Sequence, residues 1–410
     1  MKKAESDRPI IFQKGLSFLE LAALIIRSGK LNEFFSFFIW EILRRIGWYE
    51  RVSVDQSQCV QLDKYVDDSY IHTTTHFSIH KEETDWVKIV PFLEGYLAVS
   101  ASDESTLLYI KEGDNDSFKS INFTAKITNI YVTINEDALI SSQGKVFILE
   151  KTWKAVQVLS LTHESSTFLD EAVVEDQFGN ILIGEYGNHV ENGRFVFMGI
   201  LYTSRDLRNW SKNDFLFHKG VNKHIHCIKF WGDNELILTD GDNLKQLWLG
   251  KLDYEDGIIQ DISWINKTAR HIHMGGYTGA FVSKLGVTFG TDYHGGVNFI
   301  VKSSDMKKFK KKVLPSRMVR SVCQKIDLLK SEKKDDWAMV TNFYNGVHKN
   351  NQNIAMISRD DGENWTELFS YYPKDYYVRI ASACSPFRTV FTVKDKKKNK
   401  FYNLILQLNQ

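Results

Sequence analysis

At 410 residues, 43% hydrophobic and with a formal net charge of +1, the chain has ample material for a core and lacks the concentrated basic face that nucleic-acid binding requires. Its basic residues are dispersed apart from Lys307–Lys312 and Lys394–Lys400, which read as turns between strands, so no nucleic acid is expected as a partner. Cys59, Cys227, Cys323 and Cys384 form no CxxC pair and read as buried free thiols, which points to a reducing compartment and a cytoplasmic location.

The first apolar stretch, Leu16 to Ile26, contains Glu20 and runs into Arg27 without a small-residue cleavage site, which argues against a secretory signal. A second stretch, Glu33 to Trp48, is interrupted by Glu41, Arg44 and Arg45 and is too short to span a bilayer. It reads as an amphipathic helix, so residues 1–50 form an N-terminal helical segment ahead of a main domain at 51–410. Such a helix either docks on its own domain or lies on a membrane; the expected membrane contact is peripheral, at the inner face, through residues 16–48.

Beyond residue 70 the pattern changes to short runs of β-branched and aromatic residues divided by Gly, Asn and Asp, among them GYLAVS, KVFIL, ELILTD, GVTFGTD and YNLILQL. Strand counting divides them into blades at about 87–121, 128–160, 169–217, 222–264, 276–314 and 319–370. Three C-terminal strands remain, and a fourth strand from HTTTHFSIH, residues 72–80, completes their blade and closes a ring. The expected fold is an all-β propeller of four-stranded blades, seven by this count with six as the alternative.

One segment, SRDDGENW, follows the pattern S-x-D-x-G-x-x-W through Ser358, Asp360, Gly362 and Trp365. Shorter copies stand at Ser204, Asp206, Trp210 and at Ser303, Asp305, Phe309, each after a strand. The Asp and Ser bond to turn backbone and the aromatic packs between sheets, so the motif is structural. On these residues the chain resembles the Asp-box (BNR-repeat) propellers, the sialidase-like superfamily that includes carbohydrate-active enzymes. The resemblance covers about residues 85–410. The F/Y-R-I-P motif of true sialidases is absent, since YVRIAS at Arg379 lacks the proline.

In such a ring the innermost strand of each blade starts, and the second strand ends, on the face where ligands bind. Second-strand ends supply Glu185, Tyr186, His189, Asp240, Asp242, Asp292, Tyr293, His294 and Tyr344; innermost-strand starts supply His224, His226, Arg270, His271, His273, Tyr277, Arg320 and Arg379. A lone HxH pair is commonly structural, but two in neighbouring blades at equivalent positions point to a site.

Three functions can use this set. A glycoside hydrolase acting on an acidic glycan takes Glu185, Asp240 and Asp292 as acid and base, with Tyr186 beside Glu185 as the nucleophile of a sialidase-like scheme and with Arg320, Arg379 and Arg270 holding a sugar carboxylate. The hydrolase is the leading expectation. A uronate polysaccharide lyase instead uses His, Tyr and Arg, with a divalent metal on His226 and His273, and with His189, His224 and His271 as further ligand candidates. The expected contacts of the enzyme with its acidic oligo- or polysaccharide substrate are His189, Arg270, Tyr277, Tyr293, His294, Arg320, Tyr344 and Arg379; the third reading is a non-catalytic propeller that binds a glycan or a protein on the same face.

Overall fold

The computed structural model describes residues 31–63, 71–111, 118–191, 194–218, 224–241, 246–267, 276–293, 296–331, 337–345, 351–382 and 387–409. Seven sheets of at least four strands are arranged as the blades of a propeller, and consecutive strands within a blade pair antiparallel. Blades 1 and 2 are plain four-stranded meanders, Trp86–Phe92 to Phe118–Asn122 and Ile127–Val132 to Ala155–Ser160. The alternation of apolar side chains along each strand fills the space between neighbouring blades, so the core is a succession of seams rather than one centre. Val87, Leu97, Ile130 and Ile140 form one such seam, and Ile183, Leu139, Phe168 and Tyr202 the next.

Blade 7 joins the two ends of the chain. Its inner strands are Tyr376–Ile380, Thr389–Asp395 and Lys400–Leu408, and its fourth is Phe77–Glu82, which pairs antiparallel with Lys400–Leu408 from Leu408 opposite Phe77 to Asn403 opposite Glu82. Ile71–Thr73 adds a further outer strand. The preceding segment lies along the outer edges of two more blades. Val52 donates to the Val313 carbonyl in blade 5, while Ser53–Asp55 and Val60–Gln61 pair in parallel with Asn364–Tyr371 in blade 6. These additions cover backbone edges that would otherwise invite pairing with other chains.

Each Asp-box copy forms a tight turn between the third and fourth strands. In blade 6, Ser358 donates to Asp360, the Gly362 and Asn364 amides donate to Ser358 Oγ and Asp360, and buried Trp365 donates its indole N–H to the Gly362 carbonyl. The shorter copies repeat the arrangement. Asp206 accepts from the amides of Arg208 and Asn209, and Asp305 from those of Lys307 and Lys308. The loss of one residue leaves the Asp-to-amide turn intact.

Leu31–Arg45 is an α-helix, here α1, seated beside blade 5. Trp40 meets Phe299 edge-on at 5.0 Å, and Lys311 lies over both Trp40 and Tyr49. A Schellman cap ends the helix: Gly47, with φ of +74°, donates to Arg44 while Trp48 donates to Leu43. No helix among the described residues is long and apolar enough to cross a membrane.

Trp365 is fully buried between blades 5 and 6, whereas Phe309 in the shortened turn is only half-buried. Trp365→Ala is expected to lower the unfolding free energy by about 3–5 kcal/mol, and Phe309→Ala by distinctly less. Urea denaturation of the two variants checks the order.

Candidate functional site

The innermost strand of a blade starts where its second strand ends, as the pairing of His224 with Gly241 and of Val322 with Tyr344 shows. At the seam of blades 3 and 4 this geometry gathers Tyr186, His224 and His226. The Tyr186 ring lies 3.9 Å from the His224 ring and 5.8 Å from that of His226, centroid to centroid. The two imidazoles are buried and their Nε2 atoms are 3.0 Å apart. One must donate and the other accept, so the pair holds a proton between them.

A β-bulge produces the pair. Ladder partners jump from Ile225 with Asp240 to Cys227 with Thr239, leaving His226 as the extra residue and re-aiming its ring. Gly241 makes the room, because a Cβ there would sit 2.0 Å from the His226 ring. Among the described residues no third His, Cys, Asp or Glu joins this pair as a metal-binding group. Arg270, His271, His273, His294 and Asp242 lie outside the described residues.

Blade 3 carries a feature beyond four strands. Its second strand, Ile181–Glu191, runs on past the sheet and pairs with Arg194–Met198 to form a hairpin. Phe197 from this hairpin meets His224 edge-on at 5.3 Å. His189 stacks on His163 at 4.2 Å, and Ser165 ties this neighbourhood to the Asn188 carbonyl. The sequence signal is Asn192-Gly193 between two apolar runs, a hairpin signature.

The carboxylates do not converge as a catalytic group. Glu185 and Tyr186 are adjacent on one strand and therefore point to opposite faces, so the two do not face a common site. Glu185 is fully buried, accepting from the Thr162 amide at 3.0 Å, from the Thr162 hydroxyl and from Tyr202 at 3.1 Å. Asp240, also fully buried, accepts from the Gln246 amide at 2.7 Å and the Trp248 indole at 2.9 Å. Thr291 and Asn342 occupy comparable places in blades 5 and 6, bonded to Asn298 and Tyr371. This recurring polar position fastens the second strand to the outer part of its blade. Asp292 lies one residue further along and reaches the electrostatic environment of Tyr344, as do Tyr186 and Tyr377. Burial, with Asp292 adding to it, pushes the Tyr344 phenol far above its usual range, so it stays protonated at neutral pH.

Other expected ligand contacts are engaged elsewhere. Tyr277 is a core residue stacked on Phe289 at 4.4 Å, and Tyr293 packs in the seam beneath α1. Arg320 forms an ion pair with Glu41 of α1, and Arg379 donates to the Val87 carbonyl of blade 1. The thiols of Cys59 and Cys323 are pushed up to about 12, mainly by burial, and are chemically quiet.

Sequence reading missed a charged cluster on the innermost strands. Asp170 of blade 3 accepts from Lys88 of blade 1 at 3.0 Å and lies 3.4 Å from Lys325 of blade 6. Blades that are not neighbours touch only across the axis, so these side chains occupy the centre of the ring. Lys325 also donates to the Ser382 carbonyl of blade 7 at 2.6 Å, and Lys229 pairs with Glu171 at 2.9 Å. Burial opposes the charge on Asp170, yet the two lysines outweigh it and hold its carboxyl well below the usual range. Burial draws Lys88 down to about 8 and pushes Glu171 and Asp327 up. Lys88, Lys229 and Lys325 face Asp170, Glu171 and Asp327 there, so the axis is a balanced set of buried charges.

No protein-family model matches the chain, and no curated protein matches it. Among solved structures, Ycf48 from Cyanidioschyzon merolae is 10% identical with a TM-score of 0.48, over 81% of this chain and 98% of that one. A luciferin-regenerating enzyme is 9% identical with a TM-score of 0.43, over 80% and 92%. A gluconolactonase of Xanthomonas campestris, XC5397, is 7% identical with a TM-score of 0.39, over 88% and 97%. At such identity and score none of them bears on the chemistry of this chain.

Asp170→Asn keeps the shape but leaves buried Lys88 without its carboxylate and Lys325 with Asp327 alone, and should cost about 3–5 kcal/mol. Because the folded carboxyl is depressed, its contribution is complete above the unfolded pKa of about 4 and disappears as pH falls through the folded value. Chemical denaturation from neutral to acid pH should therefore show the wild-type advantage over Asp170→Asn shrinking below about pH 4.

Proposed function

We propose that the protein is a carbohydrate-active enzyme that takes an acidic glycan at the mouth of its axial funnel. The observation that carries this reading is the packing of Tyr186 over the His224–His226 pair, with Tyr344 and Asp292 in electrostatic reach. Glu185 and Asp240, turned into the blades, do not supply the carboxylate pair of ordinary glycoside hydrolysis. The arrangement therefore favours elimination from a uronate-containing polysaccharide over hydrolysis.

In that reaction a base removes the proton at C5, the electron pair forms the C4–C5 double bond, and the C4–O bond breaks toward an acid that protonates the leaving oxygen. Tyr186, half-buried against the imidazole pair, stands as the base: its phenolic proton passes first to the pair, and the phenolate then takes the C5 proton. Tyr344, kept protonated by burial, stands as the acid. Lys88 and Lys325 are held by Asp170 and the Ser382 carbonyl, so they act on a bound carboxylate only through their field. A divalent metal in the same reaction would need ligands beyond His224 and His226, since no third His, Cys, Asp or Glu joins them among the described residues.

Incubation with a panel of acidic glycans, following both reducing ends and the ultraviolet absorbance of unsaturated uronates, tests the proposal. The expected result is an ultraviolet signal that falls about 10²–10⁴-fold in Tyr344→Phe and in Tyr186→Phe. Reducing ends without that signal return the assignment to hydrolysis. Saturable binding without product assigns a non-catalytic glycan-binding propeller, and parallel reactions with chelator report on the metal.

A further inference from the structure

The apolar residues of α1 face the wrong way for a helix that only serves the propeller. Trp40, 5% exposed, and Glu41 are its buried residues among those with described side chains; Glu41 is held by Arg44 at 2.8 Å and by Arg320 of the propeller. Phe35, Phe38, Ile39, Ile42 and Ile46 are exposed, and their spacing of i, i+3, i+4, i+7 and i+11 sets them in one continuous stripe on the other side. The Schellman cap then places Trp48, 72% exposed, just beyond the helix end. The helix thus docks through a tryptophan and an ion pair and presents its apolar stripe outward.

The charges around this stripe fit an anionic surface. Arg45 is largely exposed beside it and Arg51 is exposed shortly after it, while Glu41 and Glu50 are both engaged, Glu50 by Lys310 and Lys312. The preceding thirty residues carry six Lys or Arg against three Asp or Glu and include the apolar run Leu16 to Ile26. A stripe of large apolar side chains, a Trp at its margin and surplus basic residues are the ingredients of a helix lying in the headgroup region of a bilayer.

We infer that the outward face of α1 is a docking surface for an anionic lipid bilayer, which fastens the propeller peripherally to the membrane. This inference stands apart from the glycan reading, since the stripe shares no residue with the proposed reaction centre.

Sedimentation of the full chain with vesicles of phosphatidylcholine alone, or of about 3:1 phosphatidylcholine and phosphatidylglycerol, tests it, with tryptophan emission of the wild type compared in parallel with that of Trp48→Phe. The wild type should partition onto the anionic vesicles, less at high salt, with a blue-shifted emission. The double substitution Phe38→Ser and Ile42→Ser should reduce partition at least about tenfold while leaving the unfolding midpoint unchanged. Three results overturn the inference. They are equal partition of wild type and double variant, a concentration-dependent dimer that the variant abolishes without any vesicle binding, and a lower unfolding midpoint of the variant without lipid. The second assigns the stripe to another copy of the chain, and the third to residues 1–30.

Discussion

The antiparallel pairing of Phe77–Glu82 with Lys400–Leu408 is the contact on which the rest of the molecule depends. A propeller blade is an open sheet, and seven of them bury their faces only when the first and last are brought together. Closure here uses strands from opposite ends of the chain, so the seam on each side of blade 7 exists only while that pairing holds. The same constraint sets the radius of the ring, and thereby brings Lys88, Asp170 and Lys325 within bonding distance at its centre.

Two kinds of polar residue must be distinguished in such an architecture. Those of the recurring second-strand position, Glu185, Asp240, Thr291 and Asn342, complete the hydrogen bonding of loops and outer strands; their burial is tolerable because donors or acceptors meet them. Those of the axis are charged and meet partners from blades across the ring. Their low-dielectric surroundings strengthen each pairing and also draw the unbalanced groups toward neutrality. The Tyr186, His224 and His226 cluster combines aromatic surface with a hydrogen bond between two buried imidazoles.

The blades were legible in the sequence because strand alternation, turn residues and the Asp-box are all local signals. Even the closing strand could be found, since the three C-terminal strands lacked a fourth and residues 72–80 supplied the pattern. The site was legible only in part. The doubled His pattern led to His224 and His226, but the bulge that aims His226 has no mark in the local alternation. Glu185 stands at the end of a second strand and so reads as a funnel residue, although a strand sends adjacent side chains apart and the carboxylate turns into the blade. Arg320 looked like a ligand for a carboxylate, and it does meet one, from Glu41 nearly three hundred residues earlier. The axial lysines were passed over because each is one charge in an apolar strand, and their partners become visible only when distant blades meet.

Ring closure also orders the life history of the molecule. During synthesis, Phe77–Glu82 leaves the ribosome more than three hundred residues before Lys400–Leu408 exists to receive it. For that interval the nascent protein has two unpaired sheet edges and an axis whose central carboxylate awaits Lys325. Such a chain is exposed to mispairing with its neighbours until its final strands emerge, so its yield in the cell should depend on how quickly the last blade is delivered and on chaperones that shield the open arc.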